Sequence, residues 1–172
     1  MCLRLAELWD IDVVCARLGT VIGPWERNTG VRDNFGTHSQ LALCAATGKE
    51  AVLPPRAIRR DWVYSRDVAA GLIALLDAKS PRHPVYNLSS GVDWGDGTMA
   101  AWCEALKTVY NDFKFRVAQS SETANIGYTD KDRCLMDTGR IVNEFGLRLR
   151  GPGDAYEDYA QWISRTPDFW SI

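Results

Sequence analysis

Arg17-Leu18-Gly19-Thr20-Val21-Ile22-Gly23-Pro24, fed by the apolar residues 13–16, is the stretch on which the fold turns. A nearly unbroken apolar, β-branched run closed by Gly-Pro has the composition of a buried parallel strand that delivers its carboxyl end into a loop. In open α/β sheets the crevice beyond such ends is where ligands bind. Taken alone, the octapeptide reads equally well as a core strand stopped by a turn. The segments on either side decide between the two.

Upstream, Leu3, Leu5, Leu8 and Trp9 have helical spacing, but nothing before Met1 supplies a cap or a first turn. This reads as the back half of a helix. A parallel sheet needs several strands and covering helices, so a strand directly after half a helix is expected to belong to a longer protein. Downstream, residues 25–34 are polar and form a loop carrying Glu26, Arg27, Arg32 and Asp33. Arg27 or Arg32 could grip an anionic substrate by a bidentate contact, and each reads equally as a solvated loop charge. Thr37-His38-Ser39-Gln40 fits a capping box for a helix that Gly48 closes, which puts His38 on the surface of a first turn rather than among ligands.

Residues 51–53 and 61–64 read as short strands. A helix follows with Ser65 as its cap, Asp67 in its first turn, and Val68, Leu72, Leu75 and Leu76 facing the core. Residues 84–88 form the next strand, closed by Ser89-Ser90-Gly91, so strand, helix, strand is the pattern of a parallel α/β unit. Arg60, flanked by Asp61 and Trp62 just before that helix, has the makings of a phosphate or carboxylate clamp. Met99, Trp102, Cys103, Leu106, Val109 and Tyr110 mark an amphipathic helix whose stripe is core. Strands are expected at 115–118 and 133–136 around a polar loop at 120–130. Asp137 is expected to cap a helix ending at Gly146, and Asp154 with Glu157 to cap a last one bearing Tyr156, Tyr159, Trp162 and Ile163. These elements form a small α+β lobe.

Composition narrows the function. At 172 residues with 46% hydrophobic residues the chain can bury one good core. A net charge of -2 and a pI near 5.7 offer no basic field for a phosphate backbone, so nucleic acid is excluded as an expected partner. The longest apolar run, residues 68–76, is too short to span a bilayer, so no membrane partner is expected. Five scattered cysteines without a Cys-x-x-Cys read as buried free thiols in a reducing, cytoplasmic setting.

No Gly-rich nucleotide loop follows a strand, no Tyr-x-x-x-Lys pair is read, and neither a Ser/His/Asp set nor metal-ligand spacing is evident, so no catalytic residue is assigned. What the residues offer is a substrate-binding surface made of Arg27, Arg32, Arg60 and the aromatics Trp25 and Trp62, expected to be exposed. Three blocks then carry a resemblance: Arg17-x-x-Thr20-Val21-Ile22-Gly23-Pro24, Arg60-Asp61-Trp62-Val63-Tyr64-x-x-Asp67-Val68-Ala69, and Val85-Tyr86-Asn87-Leu88-x-x-Gly91. In order and spacing they resemble the carboxyl-terminal half of the NAD-dependent epimerase/dehydratase family, the extended short-chain dehydrogenases, over residues 3–146.

The resemblance implies an α/β fold: the last strands and helices of a Rossmann-like parallel sheet plus a small α+β substrate-binding lobe, the nucleotide-binding half being absent. It implies that Leu18 and Gly19 lie beside the nicotinamide of NAD or NADP. It gives substrate-binding roles to Thr20, where many members carry Asn, to Trp25, where an Arg often follows Gly-Pro, to Arg27 as a replacement for that Arg, to Arg60 as a diphosphate contact, and to Trp62. The loop at residues 28–36 departs from the nucleotide-sugar pattern. The implied partner is a sugar-type small molecule; separately, a strand at residues 13–21 without its sheet neighbours is expected to self-associate through its edge, giving a homo-oligomer. The implied chemistry is that of an oxidoreductase or isomerase, with the Gly-rich loop and the Tyr-x-x-x-Lys pair upstream and no cofactor bound by this chain alone. The competing expectation is a natural short module that binds ligands without catalysis.

Overall fold

A computed structural model of the chain describes residues 1–27, 29–31, 35–128 and 131–170. Arg32 therefore lies outside the described residues, as does part of the loop at 28–36. The elements are α1 (Cys2–Trp9), β1 (Cys15–Leu18), β2 (Thr20–Ile22), α2 (Thr37–Ala46), β3 (Ala51–Leu53), β4 (Trp62–Tyr64), α3 (Ser65–Asp77), β5 (Val85–Leu88), α4 (Thr98–Lys107), β6 (Phe115–Val117), α5 (Gly139–Phe145) and α6 (Pro152–Arg165), followed by a 3-10 turn at Pro167–Trp170.

All three described strand pairs are parallel: β1 with β5, β2 with β4, and β3 with β6. The single strand expected over the octapeptide is in fact two, broken at Gly19. Up to Leu18 the chain follows β5, in register Arg17 with Asn87 and Leu18 with Leu88. From Thr20 it follows β4, in register Thr20 with Trp62. Gly19 N–H still donates to Leu88 O at 3.1 Å, while Thr20 N–H donates to Asp61 O at 2.7 Å, so the switch happens within one residue. A side chain there has no room, because a Cβ on Gly19 would lie 2.7 Å from Asp61 O and closer still to Ser89 Oγ. Nor is the strand buried: Arg17, Leu18 and Val21 are exposed. Among the described residues β1 pairs on one side only.

Two cores follow from this layout. The smaller gathers Val63, Val68, Leu75, Tyr86, Leu88 and Ile141 between α3, β5 and α5. Here the expected face of α3 is corrected. Leu72 is largely exposed and Leu76 is 83% exposed, while Gly71 takes the inward position. The helix approaches β5 so closely that a Cβ on Gly71 would lie 2.6 Å from Leu88 Cδ1, so any larger residue there would have to displace the Leu88 side chain. The larger core is aromatic and belongs to the lobe, with Trp62, Trp94, Trp102, Tyr156, Tyr159, Trp162 and Phe169 among its members.

The helix starts differ from expectation. Neither Thr37 nor Ser65 is a cap: α2 begins after Gly36 and α3 after Tyr64, with no side-chain cap bond on either. Thr37 Oγ instead donates to Gly127 O at 3.1 Å. Pro152 opens α6, leaving Asp154 inside the first turn, where a carboxylate suits the helix dipole. Asp137 Oδ1 does accept the Gly139 amide at 2.8 Å at the start of α5. Residues 133–136, expected as a strand, form none; their described backbone and side-chain bonds go to Arg59 and Asp61 instead. Of the cysteines only Cys103 is buried, its thiol pushed up to about 12 by burial; Cys2 and Cys134 are exposed.

Candidate functional site

The carboxyl ends of β1 and β5 and the amino end of β4 meet at the Gly19 fork. Parallel ladders alternate the direction of backbone groups. Cys15 and Gly19 donate to Pro84 and Leu88 of the β5 side, so the amides of Ala16 and Leu18 face the opposite, unpaired edge. Leu18 is 45% exposed there. Beneath the fork sits Asp61, 3% exposed. One of its carboxylate oxygens accepts the Ser89 hydroxyl and the other accepts the Met136 amide at 2.5 Å. Ser90 N–H donates to Trp62 O at 3.2 Å, and Ser90 Oγ accepts Trp94 Nε1–H at 2.8 Å, which ties the β5 turn to the aromatic lobe.

Beside the fork opens a pocket of about 290 Å3, lined by Arg59, Arg60, Asp93, Asp132, Arg133 and Cys134, with Leu135 completing its wall. Arg59 is paired with Asp93 and Asp96, and Asp132 with Arg56. Arg60 is different: its Nε is buried and has no hydrogen-bond partner among the described residues. Burial, with the like charge of Arg133 nearby, holds its guanidinium below the usual range. A cation kept in a concave site under those conditions is suited to an anion that would relieve both effects.

The other expected contacts are more dispersed. Trp62 is buried rather than exposed, because it packs between His38 and Trp94, with ring centroids 5.2 Å and 5.9 Å away. Trp25 is 68% exposed in a left-handed conformation, with its edge on Trp162 and Phe169. Arg27 lies over the Phe169 ring at 4.6 Å. Leu18, Gly19 and Thr20 are thus brought to Asp61 and its neighbour Arg60, whereas Trp25 and Arg27 are held against the end of α6 and the 3-10 turn.

His38 is the largest departure. It is buried, not on the surface, because α2 turns that face into the aromatic lobe. Its Nε2 lies 2.9 Å from the Tyr156 hydroxyl, which in turn lies 2.6 Å from Thr98 Oγ. Burial lowers its pKa from 6.5 to about 3. No cluster of metal-binding side chains occurs among the described residues, and none of the described helices is long and apolar enough to cross a membrane. A Tyr-x-x-x-Lys spacing does occur, at Tyr110 and Lys114. It falls in the turn between α4 and β6, with Lys114 O accepting the Ala51 amide, so it forms no helical pair at the fork. Asp61 and Ser89 are the functional-site residues that sequence reasoning passed over. Their only signal was position: each sits at the carboxyl end of a strand or just before one.

This architecture is matched by solved structures. UDP-glucose 4-epimerase from Thermotoga maritima, solved with UDP-glucose, superposes with a TM-score of 0.69 at 14% identity, over 96% of this chain and 50% of that one. WbmF from Bordetella bronchiseptica, solved with NAD+ and UDP, gives 0.67 at 18% identity, over 98% and 50%. The dTDP-glucose 4,6-dehydratase from Bacillus anthracis, solved with NAD, gives 0.66 at 16%, over 98% and 50%. The chain thus spans about half the length of these structures, and at such identities the likeness is one of fold. No curated protein sequence matches the chain. Residues 1–89 do match a family pattern, and that segment holds the first two sequence blocks, most of the third, and the whole fork from Gly19 to Ser89. The chain belongs to the NAD dependent epimerase/dehydratase family.

Proposed function

We propose that this chain is the substrate-binding part of an NAD(P)-dependent epimerase, dehydratase or dehydrogenase that acts on a sugar or nucleotide sugar, and that it is not catalytic by itself. The observation that carries the reading is the unpaired edge of β1 at Leu18, next to Gly19 and adjoining the fork where Asp61 and Arg60 enter. An exposed apolar side chain with an outward-facing backbone amide at the carboxyl end of a parallel strand fits a planar ring bearing a carboxamide, so Leu18, with Gly19 beside it, would hold the nicotinamide. When bound, that ring supplies the hydride acceptor for a carbinol carbon. This chain's residues would orient the substrate: Arg60 against an anionic group, Thr20 by a polar contact, and Trp25, Arg27 and Trp62 by shaping the lobe side. The base and the Gly-rich loop would come from residues outside the chain.

Titration of the isolated chain with NAD is expected to show no saturable binding, and addition of a nucleotide-binding half to restore it. Tight binding of NAD by the chain alone overturns the reading. The open β1 edge also supports a homo-oligomer, since unpaired strand edges template association. A monodisperse monomer in sedimentation at high concentration contradicts that part. A cytoplasmic location completes the proposal; fractionation that places the native protein outside the cytoplasm removes it.

A further inference from the structure

Asp61 stands out once the site is described, because a buried carboxylate is costly unless its oxygens are satisfied, and here each oxygen serves a different segment. Oδ1 takes the Ser89 hydroxyl at the end of β5, and Oδ2 takes the amide of Met136 in the segment 133–136. The backbone oxygen of the same residue takes the amide of Thr20. Arg133 N–H donates to Arg59 O at 3.0 Å, so this segment is held at both ends by residues preceding β4. That segment has no strand to pair with, and it supplies one wall of the pocket through Arg133, Cys134 and Leu135, facing Arg60.

We propose that Asp61 is a positioning residue: its carboxylate locks the wall at 133–136 to the Gly19 fork, so that the anion-facing pocket and the end of β1 keep one fixed geometry. The inference rests on the substrate-binding reading above. It assigns Asp61 no contact with substrate. Asp61 acts through Met136 on one side and Ser89 on the other, and the close approach of Gly19 to Ser89 Oγ transmits the position of Ser89 to the fork.

The test uses the full chain, with UDP as the probe and amide hydrogen exchange as a second readout. Asp61→Asn keeps the size of the side chain but replaces one acceptor with a donor that cannot take the bond it replaces. Ile141→Val in the small core serves as a variant of lowered stability away from the pocket. A charge-assisted hydrogen bond lost at a buried site corresponds to roughly ten-fold in affinity or more. Asp61→Asn is therefore expected to weaken UDP by that factor and to speed exchange at Met136 and Thr20. Ile141→Val, compared at matched distance from its melting temperature, should leave both readouts unchanged. An Asp61→Asn chain with unaltered UDP affinity overturns the proposal. If the unmodified chain does not bind UDP, the nucleotide-sugar reading fails separately and exchange decides the role of Asp61. Faster exchange at Met136 and Thr20 in Asp61→Asn then upholds the lock, and unchanged exchange there overturns it.

Discussion

Trp102→Ala is expected to destabilise the chain by about 3–5 kcal/mol, a large part of the total stability of a domain of this size. Trp102 is fully buried on α4 and stacks on Tyr159 of α6 with ring centroids 4.8 Å apart and an interplanar angle of 11°. It also touches the Tyr156 ring at 5.2 Å, and its indole N–H donates to the backbone oxygen of His38 at 2.9 Å. Truncation thus removes the residue joining α2, α4 and α6, opens a cavity between rigid rings, and takes away the indole bond to the start of α2. Neighbours that are themselves large and aromatic cannot collapse into the space, which places the cost at the upper end for such changes. Denaturant unfolding of both proteins measures it. A loss below about 1 kcal/mol would mean that the lobe is not built around this ring.

The second large effect is a dependence on pH. His38 has an unfolded value of 6.5 and a folded value of about 3, depressed by burial. Between those limits the unfolded chain holds a proton at His38 that the folded chain does not. The stability is therefore fully present above pH 6.5 and falls as pH drops towards 3, by about 1.4 kcal/mol per pH unit. By pH 5 the loss is about 2 kcal/mol. Comparing the unmodified chain with His38→Gln between pH 7 and pH 5 isolates this term from the other titrating groups, which the two proteins share. The slope is expected to fall by that amount in the variant. Equal slopes in the two proteins would show that His38 takes up its proton without unfolding the lobe.

The order of elements was legible because period-two and period-3.6 patterns survive in short segments: β4, β5 and the stripe of α6 fall where the patterns put them, whereas α4 ends at Lys107 and leaves Val109 and Tyr110, expected on its stripe, in the turn beyond. What could not be read was set by contacts between distant residues. The octapeptide gives no sign that it leaves β5 for β4 at Gly19, since that depends on Asp61 and Ser89, 42 and 70 positions further on. Gly71 scores as a weak helix residue in any window, yet it is what lets α3 approach Leu88, and it leaves Leu72 and Leu76 turned outward. His38 has polar neighbours in sequence and aromatic ones in space. Arg60 was legible as a candidate because its charge and position suffice to nominate it. Its partner wall was not, because residues 133–136 have strand-like composition and no strand to join.

The central claim, that this chain is the substrate-binding part of a longer NAD(P)-dependent enzyme, is tested most directly by the mass of the native protein in extracts of its source cells. An antibody against α6 would report it. The matched structures are about twice as long as this chain, so a band near twice 19.2 kDa is predicted. A single band at 19.2 kDa would contradict the claim and favour a short ligand-binding module that works without a catalytic half.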